Sequence, residues 1–331
     1  MRAQAIVHRS VWNAGVEEFD LREPGDGEVM VEAHYTCISP GTELRCLAGR
    51  QPEAVAFPYV PGYAMAGEVI RSGRGTSIAP GTRVYLNGTS SAGHLNRMWG
   101  GHASHAVAPA EACILVPDEL SLLDASLAHL AGIAYHGVSL SMAGPGDIVA
   151  VVGLGVLGQI CARIYASRGC RVVACDLGER RVSQARSAGI EAVACGQGIA
   201  NALMPLLPEG ADVVVDVTGN RAALADAISI ARDVPWDDDA PKRSRYMLQG
   251  SYPDDVPIPY QVAFRKELYF CIPRDCTSGD RKAALTMMAD GRLSITDCIG
   301  ARKLPESAQD TYDSLSKQDG EMLTAVFEWR R

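Results

Sequence analysis

Repeated alternation of apolar strands and helices constrains the fold of this chain more than any other sequence feature. From Asp147 onward, the runs IVAVVG, RVVACD, EAVAC, ADVVVDVTG and RYMLQGSY alternate with stretches of helical spacing. Strands connected in this way pair in parallel, because each helix carries the chain back across one face of the sheet. This part of the sequence therefore predicts an α/β fold with a doubly wound parallel sheet.

The flanking regions have other patterns. In the first third of the chain, short alternating runs are separated by Gly and Pro, which is typical of a compact β-rich domain. The segment SLLDASLAHLAGIAYHGVSLSMAG predicts one helix, with Ser121 as its N-cap and Gly144 at its end. Further along, a helix is predicted to run to about Arg232. After Pro273 we expect a helix over residues 280–290 and a strand near MLTAVFEW that return to the first domain.

The run IVAVVGLGVLGQI contains the motif G-x-G-x-x-G at the junction between a strand and a helix. Gly153 would permit a tight turn, Gly155 would let a pyrophosphate approach the backbone, and Gly158 would let helix and strand pack closely. Val156 and Leu157 open the helix, whose N–H groups and dipole favour an anion. This context predicts a Rossmann dinucleotide-binding site. The alternative is that the glycines serve only helix–strand packing.

Asp176 ends the next strand, where an acidic residue accepts hydrogen bonds from a ribose and repels a 2′-phosphate. Its position favours NAD(H), but Arg180 or Arg181 could neutralise a phosphate, which leaves NADP(H) open. Arg181 is expected beside the adenosine or on the surface. Ligands of open α/β sheets collect at strand ends. Two further ends are therefore predicted to contribute to the cofactor site, one through Thr218 and Gly219 and the other through Gly250 and Ser251.

The overall composition restricts the partners of the protein. A net charge of −8 argues against nucleic acid or an anionic membrane as the main partner. The one mixed charge cluster, Asp237–Asp239 followed by Lys242, Arg243 and Arg245, is interpreted as a solvated loop. No apolar run reaches the ~18 residues of a membrane span, and the N-terminal run MRAQAIVHRS has no signal-peptide core. We expect a cytoplasmic protein.

The ten cysteines do not indicate a metal site or a disulfide framework. The sequence has no C-x-x-C, and the pairs Cys170 with Cys175 and Cys271 with Cys276 are the most closely spaced. Most of the ten lie in apolar runs, where cysteine packs as a small hydrophobic residue. We therefore expect buried, reduced thiols, as is usual in the cytosol.

In order and spacing, the segments GDGEVMVEAHYTCISPGTE, VPGYAMAGEV, GTRVYLNG, ASHAVAP, AYHG and GLGVLG resemble those of the medium-chain dehydrogenase/reductase superfamily. The resemblance covers nearly the whole chain. It implies a GroES-like catalytic domain made of residues 1–131 and 274–331, and a Rossmann dinucleotide-binding domain made of residues 132–273. It also implies a homodimer that acts on a small-molecule substrate.

The same resemblance implies that a catalytic zinc site has been lost. Zinc-dependent members have a cysteine before the Gly-Thr/Ser-Asp turn and a later Gly-His-Glu turn, and here Pro40 and Tyr63 stand at the cysteine and histidine positions. The remaining ligand position falls near Leu130 or Ala131, although a catalytic zinc needs three protein ligands. Residues 86–102 also lack the four cysteines of the family's structural zinc lobe. We therefore expect no zinc.

Histidines offer an alternative metal set, formed by His94, His102 and His105. The last two are three residues apart in a predicted strand, so their side chains would point to opposite faces. His129 and His136 are seven residues apart on the helix before the glycine motif. We interpret this second pair as packed, hydrogen-bonded structural residues.

Hydride transfer to a carbonyl leaves negative charge on oxygen, so without zinc a proton donor or a hydrogen-bonding pocket must stabilise it. By its position in the resemblance, Tyr63 is the candidate donor. Thr42 matches the hydroxyl that relays protons in zinc-dependent relatives, and Glu43 is interpreted as a structural anchor of the loop. The alternative for Tyr63 is that it only fills the space of the zinc and packs on the nicotinamide.

The segments CISPGTE, AGRQP, VPGY, AYHG and VFEW look most like the members that act on hydroxyl or carbonyl groups. The nearest family is that of 3-hydroxyethyl bacteriochlorophyllide a dehydrogenase. Its pigment substrate is not carried over, because Ala64 replaces an acidic residue and residues 232–244 form an insertion. We predict a zinc-independent, NAD(H)-dependent oxidoreductase that interconverts a secondary alcohol and a ketone. The alternatives are an NAD(P)H-dependent enone or quinone reductase and a non-catalytic dinucleotide-binding protein.

Overall fold

The computed structural model describes residues 1–52, 54–236, 243–252, 255–317 and 322–330. Contacts divide the chain into two compact units. The first unit comprises Met1–His129 and Lys282–Arg331, and the second comprises Leu130–Arg281. The chain therefore leaves the first unit once and returns to it at its end.

The first part of the chain is rich in strands. Its strands are β1 Arg2–Ser10, β2 Asn13–Asp20, β3 Glu28–Cys37, β4 Tyr59–Val60, β5 Met65–Ser72, β6 Arg83–Leu86, β7 Asn96–Arg97, β8 His105–Pro109 and β9 Ile114–Leu115, and its helices are α1 Pro40–Leu47, α2 Leu122–Ala125 and α3 Ala128–Leu140. The middle part alternates β10 Ile148–Val152, α4 Val156–Ser167, β11 Arg171–Asp176, α5 Glu179–Ser187, β12 Glu191–Ala194, α6 Ile199–Leu203, β13 Val213–Asp216, α7 Arg221–Ala227, β14 Arg245–Leu248, α8 Tyr260–Arg265 and β15 Tyr269–Cys271. The last part contains α9 Ser278–Ala289, β16 Ile299–Lys303, α10 Ala308–Ser316 and β17 Thr324–Glu328.

Two sheets form the first unit. One has the strand order β2-β1-β4-β7, and the other has the order β16-β17-β3-β5-β6-β9, with β8 also paired to β3. Strand β17 pairs antiparallel with β3, placing Val326 opposite Cys37. Fully buried side chains such as Met30, Val69 and Phe327 fill the interior. The β-rich domain predicted from the alternating runs is confirmed, and the end of the chain supplies two of its strands.

The second unit is built on a six-stranded sheet with the order β12-β11-β10-β13-β14-β15, in which every pairing is parallel. Both faces of the central strand β10 are buried. Ala150 joins a core with Leu203 of α6 and Leu224 of α7, while Val149 and Val151 on the opposite face are equally inaccessible to solvent. Burial on both faces explains the continuous apolar runs of the sequence. The predicted doubly wound Rossmann fold is confirmed.

Several helix boundaries differ from the sequence prediction. Ser121 does cap α2, since its Oγ accepts the Asp124 N–H at 3.0 Å, but the predicted long helix is interrupted between α2 and α3. At the interruption, the Ser126 hydroxyl donates to the carbonyl of Leu123 at 2.6 Å. Helix α7 ends at Ala227, short of the predicted end near Arg232. Serine competes for backbone acceptors in this way, so it is common where helices end.

The interpretation of the mixed charge cluster as a solvated loop is wrong at its end. Residues 237–242 lie outside the described residues, but Arg245 is the first residue of β14 and is buried. Its Nη1 donates to the carbonyl of Ser141 at 2.6 Å, and its Nη2 lies 3.4 Å from the Asp147 carboxylate. A buried guanidinium is tolerated when such partners replace water. None of these partners is near in sequence, so the charge pattern alone could not reveal them.

The cysteines are free, and seven of the ten are buried. Cys113, Cys271 and Cys276 are partly exposed, so the prediction of buried thiols is wrong for these three.

Among the described residues, no helix combines the length and the apolar character that a membrane crossing requires.

Candidate functional site

The glycine motif forms a loop between β10 and α4 in the second unit. Gly153 has φ +94°, a conformation that favours glycine, and a Cβ on Gly158 would overlap the carbonyl oxygen of Gly153. A Cβ on Gly155, in contrast, would meet no protein atom within 4 Å. Two glycines are thus required by the protein itself, whereas Gly155 borders open space. That is the arrangement a dinucleotide-binding loop needs, with room for a phosphate against bare backbone.

Helix α4 begins directly behind this open space. Gly155 is its N-cap residue, and Val156, Leu157 and Gly158 form its first turn. The first N–H groups of a helix have no intrahelical acceptor, and together with the helix dipole they favour an anion. The predicted residues therefore fit the pyrophosphate of a nicotinamide dinucleotide.

Asp176, at the end of β11, is buried and holds the glycine loop. Its Oδ2 accepts the Leu154 N–H at 2.6 Å, and its Oδ1 accepts the Gly178 N–H at 2.8 Å. The Arg181 Nη1 lies 3.6 Å from Oδ2, and the Arg181 carbonyl accepts the Gln159 amide at 2.8 Å. Arg181 therefore lies beside the Asp176 carboxylate and offsets part of its negative charge.

The other two predicted strand ends pack against each other. Gly219 has φ +63°, and a Cβ there would lie 2.9 Å from the carbonyl oxygen of Ser251. A Cβ on Gly250 would lie 2.6 Å from the Gly219 nitrogen. Both the amide and the hydroxyl of Thr218 donate to Asp216 Oδ1, at 3.0 and 2.7 Å. The predicted cofactor residues thus collect at the carboxyl-terminal ends of β10, β11, β13 and β14.

Sequence reasoning missed Asp216, the buried last residue of β13. Besides holding Thr218, it accepts the Tyr246 hydroxyl through Oδ2 at 3.0 Å. Burial of the phenol and the charge of Asp216 raise the pKa of Tyr246 well above its usual value. The signal was available, because Asp216 ends the run VVVD just as Asp176 ends RVVACD.

The two candidate catalytic residues meet in the first unit. Tyr63, in the turn before β5, donates its hydroxyl proton to Thr42 Oγ1 of α1 at 3.2 Å. The phenol is 7% exposed, so little of it contacts solvent. The turn and the helix are separated by about 20 residues of chain, and tertiary packing brings their hydroxyl groups together.

Two rings pack on Tyr63 that sequence reasoning did not connect with it. The Trp99 ring meets it edge-on with 5.0 Å between centroids, and the His129 ring lies tilted at 4.4 Å. Trp99 has φ +72°, an uncommon conformation for a residue other than glycine. The Tyr85 hydroxyl donates to the Tyr63 carbonyl at 2.9 Å and lies 3.2 Å from His129 Nδ1. His129 is therefore packed and hydrogen-bonded, and it lies directly beside the candidate proton donor.

The residues at the positions where the resemblance implies zinc ligands do not fit a catalytic zinc. Pro40 is the first residue of α1, and Leu130 and Ala131 are buried apolar residues of α3. Proline, leucine and alanine side chains carry no ligand atom, and a neutral phenol is not among the usual ligands of zinc.

The alternative histidine set is dispersed. Both ring nitrogens of His102 are occupied, since Nε2 lies 2.8 Å from Glu43 Oε2 and Nδ1 lies 2.8 Å from Thr36 Oγ1. His105 Nδ1 pairs with the neighbouring Ser104 hydroxyl at 3.0 Å, and His94 is exposed. His136 pairs with Asp280 Oδ2 at 3.0 Å.

Comparison with known protein families agrees with this arrangement. Residues 25–118 match the model of the alcohol dehydrogenase GroES-like domain, and residues 156–233 match that of the zinc-binding dehydrogenases. The chain belongs to the medium-chain dehydrogenase/reductase superfamily. It is therefore an oxidoreductase of the dehydrogenase type.

Relatives in this superfamily match the chain along its whole length. The 2-desacetyl-2-hydroxyethyl bacteriochlorophyllide A dehydrogenase of Cereibacter sphaeroides is 26% identical over 100% of this chain and 99% of its own. Among solved structures, 2R,3R-butanediol dehydrogenase from Bacillus subtilis has a TM-score of 0.85 at 16% identity, covering 98% of this chain and 99% of its own. An Escherichia coli alcohol dehydrogenase solved with NADH has a TM-score of 0.84 at 16% identity, covering 99% of both chains. At this level of identity the solved structures show the fold alone.

Proposed function

We propose that the protein is a zinc-independent, NAD(H)-dependent oxidoreductase that interconverts a secondary alcohol and a ketone of a small metabolite. The observation that carries the proposal is the hydrogen bond between Tyr63 and Thr42, in the segments where the resemblance implies the zinc site of zinc-dependent members. This partly buried hydroxyl pair supplies both a proton donor and a path by which the donor regains a proton. An inert pocket would need neither, which favours catalysis over simple dinucleotide binding.

The proposed chemistry uses one set of residues for the cofactor and another for the proton. A bound nicotinamide would supply or accept the hydride, and the glycine loop with the α4 N-terminus would hold its pyrophosphate. During ketone reduction the carbonyl oxygen gains negative charge, and the Tyr63 hydroxyl neutralises it by donating its proton. An ordinary phenol with a pKa of ~10 is a far stronger acid than an alcohol, so the transfer is favourable. Tyr63 then regains a proton from the Thr42 hydroxyl, which turns to donate to the phenolate oxygen while the Thr42 oxygen accepts a replacement proton from solvent water.

The proposed preference for NAD(H) rests on Asp176. Its carboxylate lies at the end of β11, where a 2′-phosphate would bring negative charge close to negative charge. Arg181 beside it weakens this repulsion, so the preference is expected to be moderate. NADP(H) is the alternative cofactor, and competition between NADH and NADPH for binding measures the preference.

Zinc independence, assembly and location are also part of the proposal. Zinc independence is supported by the side chains at the expected ligand positions. Pro40, Leu130 and Ala131 have no atom that binds a metal, and the Tyr63 phenol is not a usual zinc ligand. We infer a homodimer. The edge strand β15 offers a surface for a second copy, since the side chains of Tyr269, its first residue, and of Ile272, directly after it, are exposed. A cytoplasmic location is supported by the free thiols. Light scattering of the purified protein measures the assembly directly, and a monomer would contradict it.

A substrate panel tests the proposed reaction. Purified protein is mixed with NADH and either ketones or enones, and with NAD⁺ and secondary alcohols or polyols, while the absorbance of NADH is followed. Turnover with ketones and the matching alcohols is the expected result. Turnover confined to enones would replace the proposal with an alkene reductase. NADH binding without turnover across the panel would favour a cofactor-binding protein.

A further inference from the structure

A fully buried polar network lies directly behind Thr42 and Tyr63 in the first unit. Its centre is the pair formed by Glu43 and His102, whose Oε2 and Nε2 atoms are 2.8 Å apart. Tyr312 of α10 and Thr36 of β3 complete it, and all four side chains are inaccessible to solvent.

The Glu43 carboxylate accepts three hydrogen bonds. The donors are the Ser39 N–H to Oε1 at 2.8 Å, His102 Nε2 to Oε2 at 2.8 Å, and the Tyr312 hydroxyl to Oε2 at 2.7 Å. Burial alone would raise the pKa of Glu43, but His102 and the other donors outweigh burial and lower it. The Glu43 carboxylate is therefore held ionised in the interior of the unit.

His102 links the two segments that carry the hydroxyl pair. Its side chain binds Glu43, the neighbour of Thr42 in α1. Its backbone N–H donates to the Pro61 carbonyl at 3.0 Å, two residues before Tyr63. The ring also lies against Gly62, where a Cβ would come within 2.5 Å of His102 Cδ2. One residue thus contacts the helix bearing Thr42 and the turn bearing Tyr63.

Stability alone is a weak reason to bury such a pair. The cost of removing charges from water often cancels their attraction, and apolar side chains of similar volume frequently stabilise a core as well or better. A buried pair does fix geometry, however, because only one arrangement satisfies every donor and acceptor. The Glu43–His102 pair joins the two segments whose relative position determines whether the Thr42 and Tyr63 hydroxyl groups meet.

From these contacts we propose that Glu43 and His102 are positioning residues. They hold the hydroxyl groups of Thr42 and Tyr63 at hydrogen-bonding distance for proton transfer. The inference rests on the proposed function, since it concerns the same hydroxyl pair. Glu43 acts through α1, and His102 acts through both segments. Neither residue contacts the reacting atoms, so both should affect the rate of chemistry and leave cofactor affinity unchanged.

A double-mutant cycle between Glu43→Gln and Tyr63→Phe tests the inference. The amide of Gln keeps the shape of Glu but removes its charge and one acceptor. With the phenol present, kcat should fall about 10- to 100-fold, a typical cost of small misplacement, while the Kd for NADH stays the same. With Tyr63→Phe already made, Glu43→Gln should cost less than ~2-fold more, because two residues acting through one step are not additive.

Three outcomes would overturn the inference. They are an unchanged kcat in Glu43→Gln, an equal loss from Glu43→Gln in both backgrounds, and a silent Tyr63→Phe. The first two leave the proposed function intact. The third removes the acid role of Tyr63, and the inference with it.

Tyr312→Phe and Tyr59→Phe are a matched pair of variants. They test the same inference if Glu43→Gln folds poorly. Each removes one buried phenol hydroxyl, but Tyr312 donates to Glu43 whereas Tyr59 donates to the Cys46 carbonyl at 2.8 Å. Both should lower the Tm, since each removes one buried hydrogen bond, although the acceptor keeps a second donor, His102 Nε2 for Glu43 and the Gly49 N–H for Cys46. Only Tyr312→Phe should lower kcat, by about 3-fold or more through misplacement. Equal kcat losses in the two variants would show that the network is merely structural.

Discussion

The glycine loop of the second unit and the side chains around Tyr63 in the first unit, here called the Tyr63 pocket, are built in opposite ways. The loop is defined by missing side chains, because Gly153, Gly155 and Gly158 must leave room for backbone or ligand. The pocket is defined by side chains from distant segments that converge on one phenol. The requirements on the glycine loop act on neighbouring residues and so produce a motif in the sequence. The side chains around Tyr63 come from distant segments and produce no motif. This difference determines where substitutions should have their largest effects.

The largest expected effect belongs to the pocket. Tyr63→Phe keeps the ring and its packing on Trp99 and His129 but deletes the proton. Loss of a positioned acid typically costs ~10²–10⁴ in rate, so kcat should fall by that factor when chemistry is rate-limiting. The Kd for NADH should hardly change, since the predicted dinucleotide contacts are in the second unit. Retention of more than half of the wild-type kcat would exclude the acid role.

Two further variants distinguish a proton-donating role of Tyr63 from a role in which it only fills space. Thr42→Val removes the relay hydroxyl with little change of shape, and it should lower kcat less than Tyr63→Phe does. Tyr63→Ala opens a cavity and should lower the Tm as well as the activity. If Tyr63 only fills space, Tyr63→Phe should be silent and Tyr63→Ala harmful.

A smaller effect, confined to cofactor binding, is expected from Gly155→Ala. Its Cβ meets no protein atom within 4 Å, so the free protein should fold with nearly unchanged Tm. The methyl group would occupy the space assigned to the pyrophosphate, and the Kd for NADH should rise at least ~10-fold through lost close contact. Gly144→Ala is the matched control, because a Cβ there also meets open space and Gly144 precedes β10, whereas the glycine loop follows it. Unchanged NADH affinity in Gly155→Ala would contradict the predicted binding mode.

Cofactor discrimination should be more modest. Repulsion between Asp176 and a 2′-phosphate predicts that NADH binds about 10-fold more tightly than NADPH, or ~1.4 kcal/mol. Asp176→Ala should narrow this gap, since it removes the charge and leaves Arg181 free to attract the phosphate. Fluorescence titration with both cofactors measures the difference. Equal affinities in the wild-type protein would remove the electrostatic argument.

No effect at all is expected from metal removal. Treatment with a chelator should leave kcat unchanged, and elemental analysis should find no stoichiometric zinc. One tightly held zinc per chain would overturn the assignment of the lost ligand positions. His129 would then be the first ligand to test, because its ring lies beside Tyr63 and imidazole is a common zinc ligand.

Local patterns were sufficient for the architecture. The apolar runs and glycine motif predicted the parallel sheet and its loop, because burial on both faces and close backbone approach impose residue types at fixed spacings. Asp176 followed from the same reasoning, as the end of a strand next to the motif. The helix interruption at Ser126 and the short α7 were missed, since helical periodicity does not report the serine hydroxyls that bond backbone carbonyls there, Ser126 to Leu123 and Ser229 to Asp226.

By itself, the sequence determined the fold class and the residues of the glycine loop, where each requirement acts over a few neighbouring positions. It also placed Tyr63 and Thr42 as candidates, but only through resemblance. Tertiary structure alone decided that these two hydroxyl groups meet, that His129 and Trp99 enclose the phenol, and that His102 pairs with Glu43. The reason is physical, because a buried side chain takes its partners from whatever segments the fold brings near, and those partners leave no periodic trace along the chain.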